Sequence, residues 1–275
     1  MWAQPNEQLR PRSFPTTAAL KSYDRAIAPT RDIAPRVHRL GSWFVNWYVV
    51  EDEGRLTVVD AGLPGFKGTL ESDLASLGFG LGDVDAVILT HSDADHTGVA
   101  RALHEAGARV LIHSADEPAL RKPGPKSGDA SPIKIVPDLW RPSLLRVVVS
   151  VISAGGGRPT KVEDAETFGD GDVLDVPGHP RAVPTPGHTA GHCVFHFTDH
   201  GALFVGDAMC AYNPVNGRRG PQLMPHAMNE SNALAAESLD AIAPLEAEVL
   251  LFGHGEPWHG GAAAAVEQAR AAASG

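Results

Sequence analysis

An α/β fold with two sheets and helices on the outside is what the order of segments predicts. Three observations carry that reading. Short apolar, β-branched runs come first, then alternate with stretches of helical spacing, then return and alternate again. Four of the apolar runs end in Asp or His. No linker divides the alternation cleanly, so a single domain is expected over residues 37–275, preceded by a polar, proline-punctuated N-terminal arm over 1–36 with one short helix at most.

The elements follow in order. Phe44–Val50 reads as a strand, Asp52-Glu53-Gly54 as a turn and Arg55–Asp60 as the returning strand of a hairpin. Leu70, Leu74 and Leu77 give residues 67–77 helical spacing, stopped at Gly78. Val84–Leu89 is apolar enough for a buried strand. A helix is expected over Asp95–Ala106, with Val99 and Leu103 on one face and Gly107 as its stop, followed by a strand at Arg109–His113. Residues 122–137 are rich in Pro, Gly, Lys and Ser and read as a loop. The apolar insertion Leu139–Ser153 ends in Gly155-Gly156-Gly157; base rates favour a core helix there over a helix covering a pocket. Strands are expected at Arg181–Val183, Cys193–Phe197, Ala202–Val205 and Glu248–Phe252, and helices at Glu237–Ile242 and Ala262–Ala272.

Bulk properties narrow the function. The 275 residues suffice for a sizeable core, and the net charge of −10 argues against a nucleic-acid partner, whose phosphates call for Lys and Arg. Two cysteines, Cys193 and Cys210, exclude a disulfide scaffold and a thiolate zinc finger. Neither a signal-peptide core nor an apolar run of roughly 18 residues is seen, so a soluble, cytoplasmic protein without a membrane partner is expected. The sequence is silent on oligomeric state.

The chemistry concentrates in His91-Ser92-Asp93-Ala94-Asp95-His96, four metal-competent side chains directly after the run Ala86–Leu89. Asp60 follows Leu56–Val59, Asp207 follows Ala202–Gly206, and His254 follows Val249–Gly253. His188 lies at a loop tip in Thr185-Pro186-Gly187-His188-Thr189. Acids and imidazoles that converge where strands leave a sheet are costly alone and are best compensated by metal ions.

These motifs resemble the metallo-β-lactamase fold superfamily, whose signature is His-x-His-x-Asp-His followed by a lone His, a bridging Asp and a final His. The match runs from about Val37 to the C-terminus. The resemblance implies a four-layer αββα sandwich with the site at one edge, and two divalent metal ions. Carried over by position, the first ion takes His91, Asp93 and His188, the second takes Asp95, His96 and His254, and Asp207 bridges them. Asp60 orients the ligands from behind. Asp93 stands where the family has histidine. Carboxylate oxygen also binds zinc, so Asp93 is expected to replace that imidazole as a ligand, giving a more neutral site and a weaker Lewis acid that tolerates Mn or Fe beside the first-choice zinc.

A metal-bridging hydroxide would then cleave an ester, thioester, lactone or lactam bond in a small molecule, with Asp95 taking the proton. The glyoxalase-II-like loop Thr185–His192 tilts the choice toward esters, thioesters and lactones. Two other readings stand beside this one: a diiron-type oxidoreductase, since relatives with an acid at this position include such enzymes, and a binding protein with a degenerate site. Trp140 and the 139–153 insertion are the candidate pocket walls, with Met209 and Tyr212 behind them; His192 is a candidate substrate contact, or a neutral group behind the site.

Overall fold

Three apolar layers, each between two layers of secondary structure, hold the chain together. The computed structural model describes residues 27–273. The first sheet has seven strands in chain order: β1 (Thr30–Ala34), β2 (Val37–Gly41), β3 (Asn46–Asp52), β4 (Arg55–Val59), β5 (Val84–Leu89), β6 (Arg109–His113) and β7 (Glu166–Phe168). Pairing is antiparallel up to β4 and parallel from β4 to β7. β5 is apolar almost throughout because a parallel strand is covered on both faces. The second sheet takes β8 (Arg181–Pro184), β9 (Cys193–Phe197), β10 (Ala202–Gly206) and β13 (Val249–Phe252) in the order β13-β10-β9-β8. A hairpin of β11 (Cys210–Tyr212) and β12 (Arg219–Gln222) stands apart.

The helices are α1 (Leu70–Leu77), α2 (Ala100–Glu105), α3 (Glu117–Arg121), α4 (Pro142–Ser153), α5 (Asn232–Glu237), α6 (Leu239–Ile242) and α7 (Ala262–Ala273). One cluster packs Leu70, Leu74 and Leu103 on Val58, Val87 and Val110, joining α1 and α2 to the first sheet. A second packs Tyr48, Ile88, Phe195 and Phe204 between the sheets. The third packs Leu203 and Leu250 on Leu239, Val266 and Ala269, joining the second sheet to α6 and α7. Helix, sheet, sheet, helix is the αββα sandwich.

The chain departs from expectation at four places. β1 lies inside the stretch read as an arm: its residues Thr30–Asp32 are exposed and polar, as an edge strand allows, so no apolar run marks it. Residues 1–26 of that arm lie outside the described residues. The helix expected from Asp95 starts at Ala100 instead. Residues 95–98 are held as turns by Ala61 N–H to His96 O (2.6 Å) and Gly98 N–H to Gly62 O (2.8 Å), which spread the ligands apart. The loop expected over 122–137 closes in a 3₁₀ turn at Pro132–Asp138. The insertion is a helix, α4, started by Pro142 at its first position. It buries Leu144 and Val147 and, with them and Val148, Val151 and Ile152, lines a cavity, so it is a pocket wall as well as a core helix.

Candidate metal centre

Two pairs of parallel strands aim at one edge. β4 and β5 deliver Asp60 and His91 from the first sheet, and β10 and β13 deliver Asp207 and His254 from the second. The β5–α2 turns add Asp93, Asp95 and His96, and the β8–β9 loop adds His188. The junction is tight. A Cβ on Gly206, whose φ is +52°, would sit 2.7 Å from Thr90 Oγ1, and one on Gly253 would sit 2.6 Å from Asp207 Oδ1. These glycines let the two sheets bring their strand ends together.

Each ligand imidazole is fixed from behind. His96 Nδ1–H donates to Asp60 Oδ2 (2.8 Å), His188 Nδ1–H to Asn229 Oδ1 (3.1 Å), and His254 Nδ1–H to the carbonyl of Phe44 (3.1 Å). His91 Nδ1–H donates to Thr90 Oγ1 (3.0 Å), whose own hydroxyl donates to Asp60. All four Nε2 atoms therefore face the centre as acceptors, the tautomer that metal ligation needs. Asp60 accepts three bonds in all, adding the Thr90 N–H (2.9 Å), and it does so from a left-handed backbone, φ +58°, rare for a non-glycine residue.

The donor set fits metal ions. His91 Nε2, His96 Nε2 and Asp207 Oδ1 are buried without a hydrogen-bond partner, an arrangement that costs free energy unless an ion completes it. The ligand atoms of His91, Asp93 and His188 lie within 4.8 Å of one another, as do those of Asp95, His96 and His254; His91, His96 and Asp207 form a third such group between them. Charge points the same way. Burial would lower His96, yet Asp60 and Asp207 hold it up to about 10, so the acids draw positive charge to this point. Burial would raise Asp207, but His254 and His96 hold its carboxyl well below the usual carboxylate range. Burial would likewise raise Asp93, which Lys126, His188 and His91 pull well below it.

Over this floor opens a cavity of about 440 Å³. Asp93, Asp95, His188, Asp207 and His254 form its polar end, and Phe44, Leu144, Val148, Met224 and Met228 are typical of the rest. A small polar end in an apolar cavity is the usual form of a small-molecule site.

Four expected pocket residues lie elsewhere. Trp140 is 76% exposed, one position before the helix-starting segment, with its indole toward solvent. Met209, just before β11, is fully buried in the third apolar cluster with residues of α6 and α7. Tyr212 stacks edge-on against Trp43 and Phe44 and borders a separate hollow. His192 is buried behind the ligands, where burial, His91 and His188 push its pKa far down; its neutral ring accepts from the Asp207 N–H (3.0 Å) and sits 2.8 Å from Thr185 Oγ1. It positions Asp207 and does not touch the cavity.

Sequence reasoning missed three residues. Asp116 is buried and clamps the two ligand loops together, accepting from Ser92 N–H (3.0 Å), Thr189 Oγ1–H (2.8 Å) and Gly191 N–H (2.7 Å). A signal existed, since Asp116 closely follows the apolar strand β6, much as Asp60 follows β4. Asn229 and Lys126 gave none. The Lys126 ammonium lies 2.6 Å from Asp93 Oδ2 and 2.8 Å from His188 Nε2.

A sandwich edge of this kind defines a metal-binding protein, and comparison with known proteins identifies which kind. The chain belongs to the metallo-β-lactamase superfamily, whose model matches residues 40–254. It is similar to the probable metallo-hydrolase YflN of Bacillus subtilis (strain 168), 29% identical over 252 residues, 83% of this chain and 87% of the relative. It is 32% identical to YobT of the same organism over 60% of this chain and 61% of that protein. It is 31% identical to a hydroxyacylglutathione hydrolase of Cereibacter sphaeroides over 56% of this chain and 45% of that protein. The chain thus spans under two thirds of YobT and under half of the acylglutathione hydrolase. Among solved structures, a metallo-β-lactamase family protein of Thermus thermophilus superposes with a TM-score of 0.61 at 26% identity, over 90% of this chain and 78% of that one. BJP-1, a subclass B3 metallo-β-lactamase of Bradyrhizobium japonicum, superposes with a TM-score of 0.64 over 93% of this chain and 96% of that one; at 18% identity the likeness is one of fold alone. Family and ligand cluster agree: a member of this superfamily carries, at one edge of its sandwich, His and Asp groups that could hold metal ions.

Proposed function

We propose that the protein is a cytoplasmic, dinuclear metallo-hydrolase, with zinc as first-choice ion, that cleaves an ester, thioester or lactone, less readily a lactam, in a small molecule bearing an uncharged apolar group. One observation carries this reading: Asp93, Asp95, His188, Asp207 and His254 gather at one end of a mostly apolar cavity, beside the buried, unpartnered Nε2 atoms of His91 and His96. The ligand roles are those carried over by position, with His91, Asp93 and His188 for one ion, Asp95, His96 and His254 for the other, and Asp207 between them. Divalent ions bound there would polarise a carbonyl and acidify a water.

The protein's own groups do the rest. Asp60, Thr90, Asn229 and the Phe44 carbonyl hold the imidazoles in the ligating tautomer. Asp95 faces the cavity with its side chain 24% exposed, placed to take a proton from the attacking water. The aliphatic wall from α4 takes the apolar part of the substrate and keeps bulk water from the reacting end. Similarity to a hydroxyacylglutathione hydrolase supports the thioester and ester side of the choice.

Metal content and identity after purification without added metal, followed by a panel of apolar esters, thioesters, lactones and lactams, test the reading. Hydrolysis that disappears with chelator and returns with zinc is expected. Bound iron with a charge-transfer band would move the protein to redox chemistry, and less than one equivalent of any metal would make it a binding protein. Asp93→His keeps or raises zinc affinity if Asp93 is a ligand.

A further inference from the structure

The two halves of the floor differ in one respect that neither family nor ligand spacing accounts for. Asp95 and Asp207 face imidazoles, whereas Asp93 faces the imidazoles of His188 (3.1 Å) and His91 (3.6 Å) and an ammonium as well. Lys126 Nζ is 2.6 Å from Asp93 Oδ2 and 2.8 Å from His188 Nε2, and two carbonyls close around it, Met228 O at 3.2 Å and His188 O at 3.4 Å.

We propose that Lys126 is the resident cation of the first half-site and competes with a divalent ion for it, so that the centre has one tight metal position and one weak one. The tight position is that of Asp95, His96 and His254 with Asp207; the weak one is that of His91, Asp93 and His188. The inference rests on the metallo-hydrolase reading and adds an order of loading to it.

One lone pair on His188 decides the competition. Asn229 Nδ2 donates to Met224 O (3.3 Å) and Asn232 Oδ1 (3.0 Å), so its Oδ1 is the atom that faces His188. His188 therefore keeps its proton on Nδ1, and Nε2 holds a single in-plane lone pair. That lone pair accepts from the Lys126 ammonium. It cannot also bind an ion, so an ion enters the first position only when Lys126 leaves four acceptors.

The loop that carries Lys126 is pinned where it lies. Asp129 N–H donates to Glu230 O (2.8 Å), Ser131 N–H to Ala227 O (2.9 Å), and Asn232 N–H to Asp129 Oδ2 (3.1 Å). Gly128, at φ +69°, would bring a Cβ within 2.0 Å of Glu230 O, so this register depends on glycine. A loop tied in this way returns the ammonium to the same place.

Competition of this kind lowers the apparent affinity by the fraction of protein in which the position is free. Zinc titration of the metal-stripped full chain against a chromophoric chelator reads it directly, with cobalt(II) absorption as a second readout of each position. The wild type is expected to bind one ion tightly and a second at least about tenfold more weakly. Lys126→Met should tighten the second by about tenfold or more and leave the first unchanged. Lys126→Gln, which keeps a polar side chain among the carbonyls, should shift in the same direction and serves if the methionine variant misfolds. Two equally tight ions in the wild type, or an unchanged second affinity in both variants, would overturn the proposal while leaving the hydrolase reading intact. Absence of any tight ion in all three proteins would bring down the hydrolase reading itself.

Discussion

The floor and the wall of the cavity are built by opposite means. The floor stands on strand ends: His91, His96, His188, Asp207 and His254 are all buried, and every imidazole has its Nδ1 tied. Glycines at 206 and 253 leave no room for displacement. The wall is aliphatic, comes from α4 and the loops beside it, and leaves Leu145 52% and Ile152 66% exposed. On the proposed function, reaction and substrate choice are divided between a sheet edge and an insertion. Floor substitutions should lose chemistry for every substrate; wall substitutions should change which substrate is used.

The hardest test of the floor is Asp207→Ala. Asp207 lies within 3.5 Å of Nε2 of His96, His188 and His254, so on the proposed reading its loss should remove the ligand shared by the two ions and lower kcat/KM for all substrates by roughly 10³-fold, about 4 kcal/mol of barrier. A variant that kept full turnover would end the view of the floor as the reacting part. Metal removal should show in stability as well. At ion concentrations about a thousandfold above Kd, binding adds about 4 kcal/mol, so chelation should lower Tm by roughly 8–16 °C for a chain of this size. An unchanged melting curve in chelator would mean the floor holds without ions.

Asp60→Asn probes how far the floor depends on support from behind. The carboxylate accepts from His96 Nδ1 and twice from Thr90. Its amide should weaken metal affinity by about 10–100-fold, the usual size of such an effect, with Asp207 still in place. Affinity within about twofold of wild type would show that His96 needs no such anchor.

The same division explains what was legible in the sequence. The floor was visible because its residues sit in local patterns: an apolar run that ends in Asp or His, and candidate ligands one and two positions apart. β5, β10 and β13 announced themselves through burial on both faces. The helix start at Ala100 was displaced because contacts from Ala61 and Gly62, some 35 residues away, hold 95–98 as turns. The wall was hard to read because aliphatic residues at helical spacing look alike whether they face a core or a cavity. α4 does both: Leu144 and Val147 are buried and still line the cavity, beside the more exposed Val148 and Ile152. Met209 and Tyr212 follow Asp207 in the chain, and nothing local shows that one packs into the third apolar cluster and the other against Trp43 and Phe44. Lys126 sits in a polar, proline-rich loop about 60 residues before His188, and no spacing rule connects the two.

Val148→Trp tests the wall. Val148 is half-buried and lines the cavity. An indole there should fill part of it and raise KM for bulky apolar substrates by about tenfold, a change of about 1.4 kcal/mol, while the smallest acyl substrates keep kcat within about twofold. Equal losses for bulky and small substrates would mean that α4 supports the metals themselves and that the division does not hold.

The smallest effect is expected where the sequence pointed most directly at the wall. Trp140 is a large aromatic at the head of the insertion, a natural candidate for a substrate contact, yet it is 76% exposed and lies outside the cavity. Its nearest partner is the Arg141 guanidinium, 5.2 Å from the ring centre, a surface cation–π contact of modest worth. Trp140→Ala should therefore leave KM within about twofold for every substrate and stability within about 0.5 kcal/mol, the range of ordinary surface changes. A tenfold rise in KM confined to bulky substrates would place the indole over the cavity when substrate is bound. The wall would then extend to the segment before Pro142, and the line between a fixed floor and an adaptable wall would have to be redrawn around a part that closes.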